Sequence, residues 1–131
     1  GIALYDKETK IAGLAHIMLP WSHAVKNNKN KAKFADTAIF ELIKTMTQIG
    51  ADQSRLVAKI AGGAQMFGHN NGSSLLKVGE RNILATLEIL KEQTIPVIGQ
   101  DTGGNYGRTI ELHAETGKFI IKAIDHGIRE I

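Results

Sequence analysis

Apolar and polar positions follow one another in short blocks along the chain, and the spacing within each block predicts its secondary structure. The first block is the apolar run of residues 1–6, and the second is the run of residues 10–19, which Pro20 stops. The polar turn Asp6-Lys7-Glu8-Thr9 separates the two runs. A polar turn between two apolar runs predicts a hairpin of two strands.

Helical spacing of apolar side chains marks two further blocks. In the first block, the recurring apolar residues are Ala35, Ala38, Ile39, Leu42, Ile43, Met46 and Ile49. They predict an amphipathic helix that Gly50 ends. In the second block, which follows Gly79, one helical face carries Ile83, Leu84, Leu87 and Leu90.

The remaining blocks are short and predict strands with turns between them. Residues 55–60 predict a buried strand that leads into the loop Ala61-Gly62-Gly63-Ala64, and residues 65–78 are irregular, with the turn signal His69-Asn70-Asn71-Gly72. Downstream, the pattern predicts a short strand, a turn and a hairpin: residues 96–99, residues 101–105, and residues 108–113 with 118–124 around Glu115-Thr116-Gly117. This mixed order of strands and helices favours an α+β fold over a doubly wound parallel sheet.

The composition is that of an ordinary globular domain. Of the 131 residues, 43% are hydrophobic and 22% are charged, which indicates a single domain over residues 1–131. No run of about 18 apolar residues and no signal-peptide pattern is present, which argues against membrane insertion and favours the cytoplasm. The absence of cysteine excludes a disulfide framework and a thiolate metal site. The chain opens at Gly1 on a pattern typical of a strand interior, so we expect the natural protein to begin further upstream.

Positive charge is concentrated in one polar loop. The net charge is +3, and Lys26, Lys29, Lys31 and Lys33 fall within eight residues. Too few aromatic residues lie beside these lysines to stack on bases, so a nucleic-acid partner is not indicated. The plainest interpretation is a solvated loop.

His16 interrupts an otherwise apolar strand with a titratable imidazole. It is either a core histidine that hydrogen-bonds to the backbone or a reactive residue. If Tyr5 pairs with Lys10 in the predicted hairpin, paired positions sum to fifteen, and His16 faces the position two residues before Gly1. Directly opposed residues have Cβ atoms about 4.5–5.5 Å apart, so a nucleophile at that position would lie within reach of the imidazole.

Two turn-like segments are weaker candidates. Gly62-Gly63 could bind an anion through backbone N–H groups, but it lacks the Lys-Ser/Thr of a P-loop and the G-x-G-x-x-G pattern. A tight turn that needs positive φ is the main alternative. Asp101-Thr102 likewise begins either a turn or a site. The other histidines show no metal-ligand spacing, and no metal site is predicted from His23, His69, His113 and His126.

Five sequence motifs carry information about the protein family that composition and spacing do not give. They are Ala12-Gly13-Leu14-Ala15-His16-Ile17-Met18-Leu19-Pro20, Phe34-Ala35-Asp36-Thr37-Ala38, Ala58-Lys59-Ile60-Ala61-Gly62-Gly63-Ala64-Gln65-Met66-Phe67, Gly79-Glu80-Arg81-Asn82, and Asp101-Thr102-Gly103-Gly104-Asn105 with Glu115-Thr116-Gly117-Lys118. In this order, and over essentially the whole chain, they resemble the CheD family of chemoreceptor glutamine deamidases. Members of that family are cytoplasmic and convert selected glutamine side chains of chemoreceptors to glutamate.

The resemblance implies Cys–His thiol chemistry without a metal or an organic cofactor. The reactive histidine of the family maps onto His16. The nucleophilic cysteine belongs to a Gly-x-Gly-Ser/Thr-Cys stretch that would put it two residues before Gly1, with a supporting threonine further upstream, so the chain as given would be inactive. The fold implied is a mixed β core of paired sheets flanked by two main helices, similar to the cysteine hydrolase fold of deamidating toxins.

The resemblance also implies partners. The substrates would be cytoplasmic receptor helices rich in acidic and amide residues, bound at receptor arrays, and a CheC-type phosphatase would be a second partner. Gly62, Gly63, Asp101 and Thr102 are candidate substrate-binding residues, and Lys29 and Lys31 are candidates for docking the acidic receptor surface. Two alternatives remain open: a non-catalytic regulatory module that docks the phosphatase or receptors, and a phosphate-binding protein that uses the two glycines.

Overall fold

A computed structural model describes residues 1–66 and 77–131. Its strands and helices, in chain order, are β1 (Ile2–Asp6), β2 (Ile11–Ala15), α1 (Ala35–Gln48), β3 (Val57–Gly62), α2 (Val78–Glu92), β4 (Val97–Thr102), β5 (Thr109–His113), β6 (Lys118–Ala123) and β7 (Gly127–Glu130). The predicted turn over residues 69–72, and His69 with it, lies outside the described residues. Among the described residues, no helix has both the length and the apolar character needed to cross a bilayer.

The strands form two sheets, which confirms the predicted α+β class. One sheet has four strands in the order β2-β1-β3-β4, where β1 pairs antiparallel with β2 and β3, and β3 pairs parallel with β4. The other sheet has the antiparallel order β5-β6-β7. The helices are confirmed, although α2 begins at Val78, one residue before Gly79. The final strand, β7, was not predicted, because its four residues are too few to show a clear alternation.

Alternation along the central strand β1 supplies two hydrophobic cores. Successive side chains of a strand point to opposite faces of the sheet. Ile2 and Leu4 pack in the larger core with residues of α1 and α2, such as Ile39 and Leu90. Ala3 points the other way and packs in a smaller core with residues of β6. The four-stranded sheet therefore lies between the two helices and the three-stranded sheet.

The register of the β1–β2 hairpin differs from the predicted one. Ile2 pairs with Ala15 and Asp6 pairs with Ile11, so paired positions sum to seventeen, and residues 7–10 form a four-residue loop. Lys10 closes this loop in the left-handed region, with a φ of 60°. The predicted sum of fifteen assumed a two-residue loop and is wrong. Because the shift is two residues, every side chain keeps the face of the sheet that was expected.

Asp6 anchors this register through partners far away in sequence. Its side chain is fully buried, and Arg55 donates to it through Nε at 3.1 Å and Nη2 at 2.8 Å. The backbone N–H groups of Glu8 and Asp52 donate to the same carboxylate at 3.1 Å and 2.9 Å. The hydrogen bonds from Arg55 are the main reason that the pKa of Asp6 lies well below its usual range. The end of β1 is thereby tied to the turn that precedes β3.

The second strand is shorter than predicted. Residues 10–19 were expected to form one strand, but β2 ends at Ala15. Beyond it the chain bonds to the start of α1: the N–H groups of Met18 and Leu19 both donate to the Lys33 carbonyl, at 2.8 Å and 3.0 Å. The N–H of Ala35 donates back to the Leu19 carbonyl at 3.0 Å. His16 therefore lies in a short connection rather than inside a strand.

Candidate active site

A cleft of about 720 Å³, here called the central cleft, lies where the first residue of the chain meets the end of β3 and the beginning of α2. Its lining is largely apolar, with a few polar side chains among glycines. The lining includes His16, Gly62, Gly63, Asn82, Thr102, Tyr106 and Arg108. A concave, mostly apolar site with few polar groups is the usual form of a small binding or catalytic site.

His16 lines this cleft and is exposed to solvent. The alternative of a core histidine is therefore wrong. Extended by one step, the β1–β2 register sets His16 level with Gly1 instead of the position two residues before it. That upstream position would become a diagonal neighbour of His16, at about 7–8 Å between Cα atoms.

Gly62 and Gly63 line the cleft, where Gly62 ends β3 and Gly63 follows it, and both have the positive φ that was expected of a turn. Their φ angles are +114° and +68°, in the region that favours glycine. A Cβ on Gly63 would lie 2.5 Å from Cδ1 of Ile83, and a Cβ on Gly79 would lie 2.3 Å from the Gly63 carbonyl oxygen. The glycines thus let the first turn of α2 lie directly against the loop after β3.

Asp101 and Thr102 belong to β4, which corrects the predicted turn over residues 101–105. The strand continues because Ala61 pairs with Asp101 and Gly62 pairs with Thr102. Thr102 lines the central cleft, and Asp101 is not part of its lining. The chain turns only afterwards, where Gly103 has a φ of +78°.

The carboxylate of Asp101 is engaged by two guanidinium groups. Arg108 donates to it through Nε at 3.0 Å and Nη2 at 2.9 Å, and Arg129 also pairs with it. Arg108 precedes β5, and Arg129 belongs to β7. The prediction of Asp101 as a substrate ligand therefore finds no support in its contacts, which join the two sheets.

Lys29 and Lys31 are exposed and lie outside the lining of the cleft. Nζ of Lys31 donates to Oε1 of Glu41 on α1 at 3.1 Å. This hydrogen bond is the main cause of the lowered pKa of Glu41. Of the predicted site residues, the structure therefore brings together His16, Gly62, Gly63 and Thr102, and leaves Lys29, Lys31 and Asp101 apart.

The cleft also contains Arg108, Tyr106 and Asn82, which the sequence pattern did not indicate as site residues. The Arg108 side chain is 3% exposed, and its guanidinium lies 4.2 Å from the centroid of the Tyr106 ring. Asn82 belongs to the block 79–82 that carried the family resemblance, which was the available signal for it.

Comparison with known proteins covers nearly all of this chain. A family model described as CheD chemotactic sensory transduction matches residues 18–123. The chain belongs to the CheD family. A protein of Caldanaerobacter subterraneus subsp. tengcongensis, named as a probable chemoreceptor glutamine deamidase CheD, is 53% identical over 131 residues. The match covers 100% of this chain and 81% of the relative.

Two further CheD relatives agree with this one. A probable chemoreceptor glutamine deamidase CheD of Lachnoclostridium phytofermentans is 53% identical over 124 residues, which cover 95% of this chain and 77% of the relative. The chemoreceptor glutamine deamidase CheD of Halalkalibacterium halodurans is 44% identical over 132 residues, which cover 100% of this chain and 82% of the relative. The first and last of these matches take in His16, whereas the match to the family model begins just after it.

The central cleft combines two features that a thiol-based acyl transfer can use. His16 offers an accessible imidazole, which can accept and return a proton. The apolar lining can take up the methylene groups of a substrate side chain. The chain itself contains no cysteine, so it does not supply the nucleophile of such a reaction.

Proposed function

We propose that this protein is a chemoreceptor glutamine deamidase that acts at the cytoplasmic side of receptor arrays. The observation that carries the proposal is the exposed imidazole of His16 in the central cleft, which Gly1 also lines. The names of the CheD relatives support the substrate class. The proposed reaction adds water to a glutamine side chain, releases ammonia and leaves a glutamate side chain in the receptor.

In the proposed reaction, a cysteine two residues before Gly1 is the nucleophile and His16 is its base. His16 takes the thiol proton, and the thiolate attacks the carboxamide carbon, which forms a C–S bond and an oxyanion. The C–N bond then breaks, and protonated His16 gives its proton to the departing ammonia. Water adds to the thioester, the C–S bond breaks, and the product is glutamate with the free thiol restored.

The register supports this pairing of groups. If the β1–β2 ladder continued past the pair Ile2–Ala15, the upstream position would be a diagonal neighbour of His16 on the same face of the hairpin. Diagonal neighbours, with Cα atoms about 7–8 Å apart, can still make contact when one of them carries an aromatic side chain such as that of histidine. We further propose that Gly62, Gly63 and Thr102 form the wall against which the substrate carboxamide lies.

Full-length protein incubated with a receptor fragment tests the proposal directly. We expect the fragment to gain roughly 1 Da for each converted glutamine, because the thioester is cleaved by water and NH₂ is replaced by OH. Mass spectrometry of receptor peptides measures this gain. No mass gain, together with retained binding of a CheC-type phosphatase, would contradict the deamidase and favour the regulatory module. That phosphatase is proposed as a second partner in either case.

We also propose that Lys29 and Lys31 dock the acidic receptor surface. Both side chains are exposed, on the loop that runs from the His16 connection to α1. Replacing both by glutamine is expected to weaken receptor binding about threefold to tenfold at low salt, since exposed charges contribute modestly and are screened by salt. Titration of a receptor fragment at several salt concentrations measures the effect.

Two controls belong to this experiment. Lys91→Gln removes an exposed lysine from the last turn of α2, and Glu41→Gln removes the partner of Lys31 without removing its charge. Neither control should weaken binding at low salt. Equal affinities for the double variant and the original protein at low salt would exclude the docking role.

A further inference from the structure

Asn82 is a cleft residue that the proposed reaction does not use. It lies in the second turn of α2, and its Nδ2 donates to the carbonyl oxygen of Met18 at 3.1 Å. Met18 is 64% exposed and follows His16 by two residues. The hydrogen bond therefore links α2 to the connection that carries the imidazole, across 64 positions of sequence.

The connection after β2 needs such a link because it is held by the sheet only up to Ala15. Its N–H groups are secured further on, where Met18 and Leu19 donate to Lys33. The carbonyl oxygen of Met18 accepts a hydrogen bond from Nδ2 of Asn82. His16 thus lies between the end of the β1–β2 ladder and Met18, whose N–H and carbonyl groups are both hydrogen-bonded.

The position of Asn82 is itself determined by backbone packing. Gly79, one turn earlier in α2, approaches Gly63 so closely that a Cβ on Gly79 would lie 2.3 Å from the Gly63 carbonyl oxygen. The buried face of α2, which includes Ala85 and Ile89, holds the rest of the helix in the larger core. The amide of Asn82 is therefore presented to Met18 by a helix turn that has little freedom to move.

We propose that Asn82 is a positioning residue that holds the His16 connection at the orientation required for proton transfer. The proposal rests on the proposed function, because it assumes that His16 is the base. Asn82 acts through the Met18 carbonyl and does not touch the reacting atoms. Loss of its donor frees the connection to shift relative to the nucleophile, and misplacement by about 1 Å can cost about 100-fold in rate.

Two variants of the full-length protein test this role by kinetics. Asn82→Asp keeps the shape but removes the donor, and Asn82→Ala removes the side chain without adding a charge. Both are expected to lower kcat for glutamine deamidation about 10-fold to 100-fold, with KM changed less than about twofold, because only the alignment of the base is lost. Glu80→Gln, at an exposed position in the first turn of the same helix, is the matched control and should leave kcat unchanged.

A readout independent of activity separates positioning from general stability. In protein with isotope-labelled histidine, Asn82→Ala should move the ring signals of His16, while those of His113 and His126 stay in place. Thermal unfolding should show that the variant remains folded. In a His16→Ala background, Asn82→Ala should cause no further loss of residual activity, because residues that act as a unit are non-additive.

The outcomes distinguish this proposal from the deamidase mechanism. If His16→Ala abolishes activity while both Asn82 variants keep kcat within twofold, the positioning role is excluded and the mechanism stands. Unmoved His16 ring signals in Asn82→Ala exclude it as well. If His16→Ala retains full activity, the assignment of the base fails, and the positioning role fails with it.

Discussion

Replacement of His16 by alanine in the full-length protein is expected to lower glutamine deamidation by about 100-fold to 10,000-fold, the range that a positioned general acid–base contributes. The imidazole is exposed in the central cleft, and its loss removes both the base for the thiol and the acid for departing ammonia. Because the side chain makes few structural contacts there, the free energy of unfolding should change little. Mass spectrometry of receptor peptides over time measures the rate.

His113→Ala is the matched control for this substitution. His113 is also exposed, but it lies at the end of β5 and outside the lining of the cleft. Its replacement should leave the rate within about twofold, since surface changes away from a site have small effects. A His16→Ala protein that is as active as His113→Ala would show that a different residue is the base.

Replacement of Asp101 by asparagine is expected to destabilise the protein by about 3 kcal/mol, because removal of one partner leaves a buried charge uncompensated. The side chains of Asp101 and Arg108 are 10% and 3% exposed, so water cannot take over the role of the carboxylate. The same carboxylate also pairs with Arg129, so the substitution loosens β4 from both β5 and β7. Equilibrium unfolding in urea measures the loss of stability.

Glu130→Gln is the control for Asp101→Asn. Glu130 pairs with Lys118 at 3.4 Å, and the side chains are 48% and 56% exposed. Exposed pairs contribute about 1 kcal/mol or less, so this variant should unfold almost like the original protein. Equal stabilities of the two variants would show that Asp101 does not hold the sheets together.

Local pattern was sufficient for both helices, for six of the seven strands in the described residues, and for the family. The apolar spacing from Ala35 to Ile49 predicted α1, and the alternation around Glu115-Thr116-Gly117 predicted the β5–β6 hairpin, where Gly117 has a φ of +73°. These features depend on neighbours within a few positions, which the chain itself supplies. The same applies to the motif blocks, whose order indicated the CheD family before any geometry was known.

Contacts between distant residues decided what local pattern could not. The register of the first hairpin depends on Asp6 and its partner Arg55, 49 positions away. The end of β2 at Ala15 depends on competing hydrogen bonds to Lys33, and the exposure of His16 follows from it. Periodicity reports which face of an element is buried but not which element covers it. The sequence alone therefore determined most of the elements, the family and the candidate histidine, while the tertiary structure decided strand β7, the partners of Asp101 and the link from Asn82 to the histidine connection.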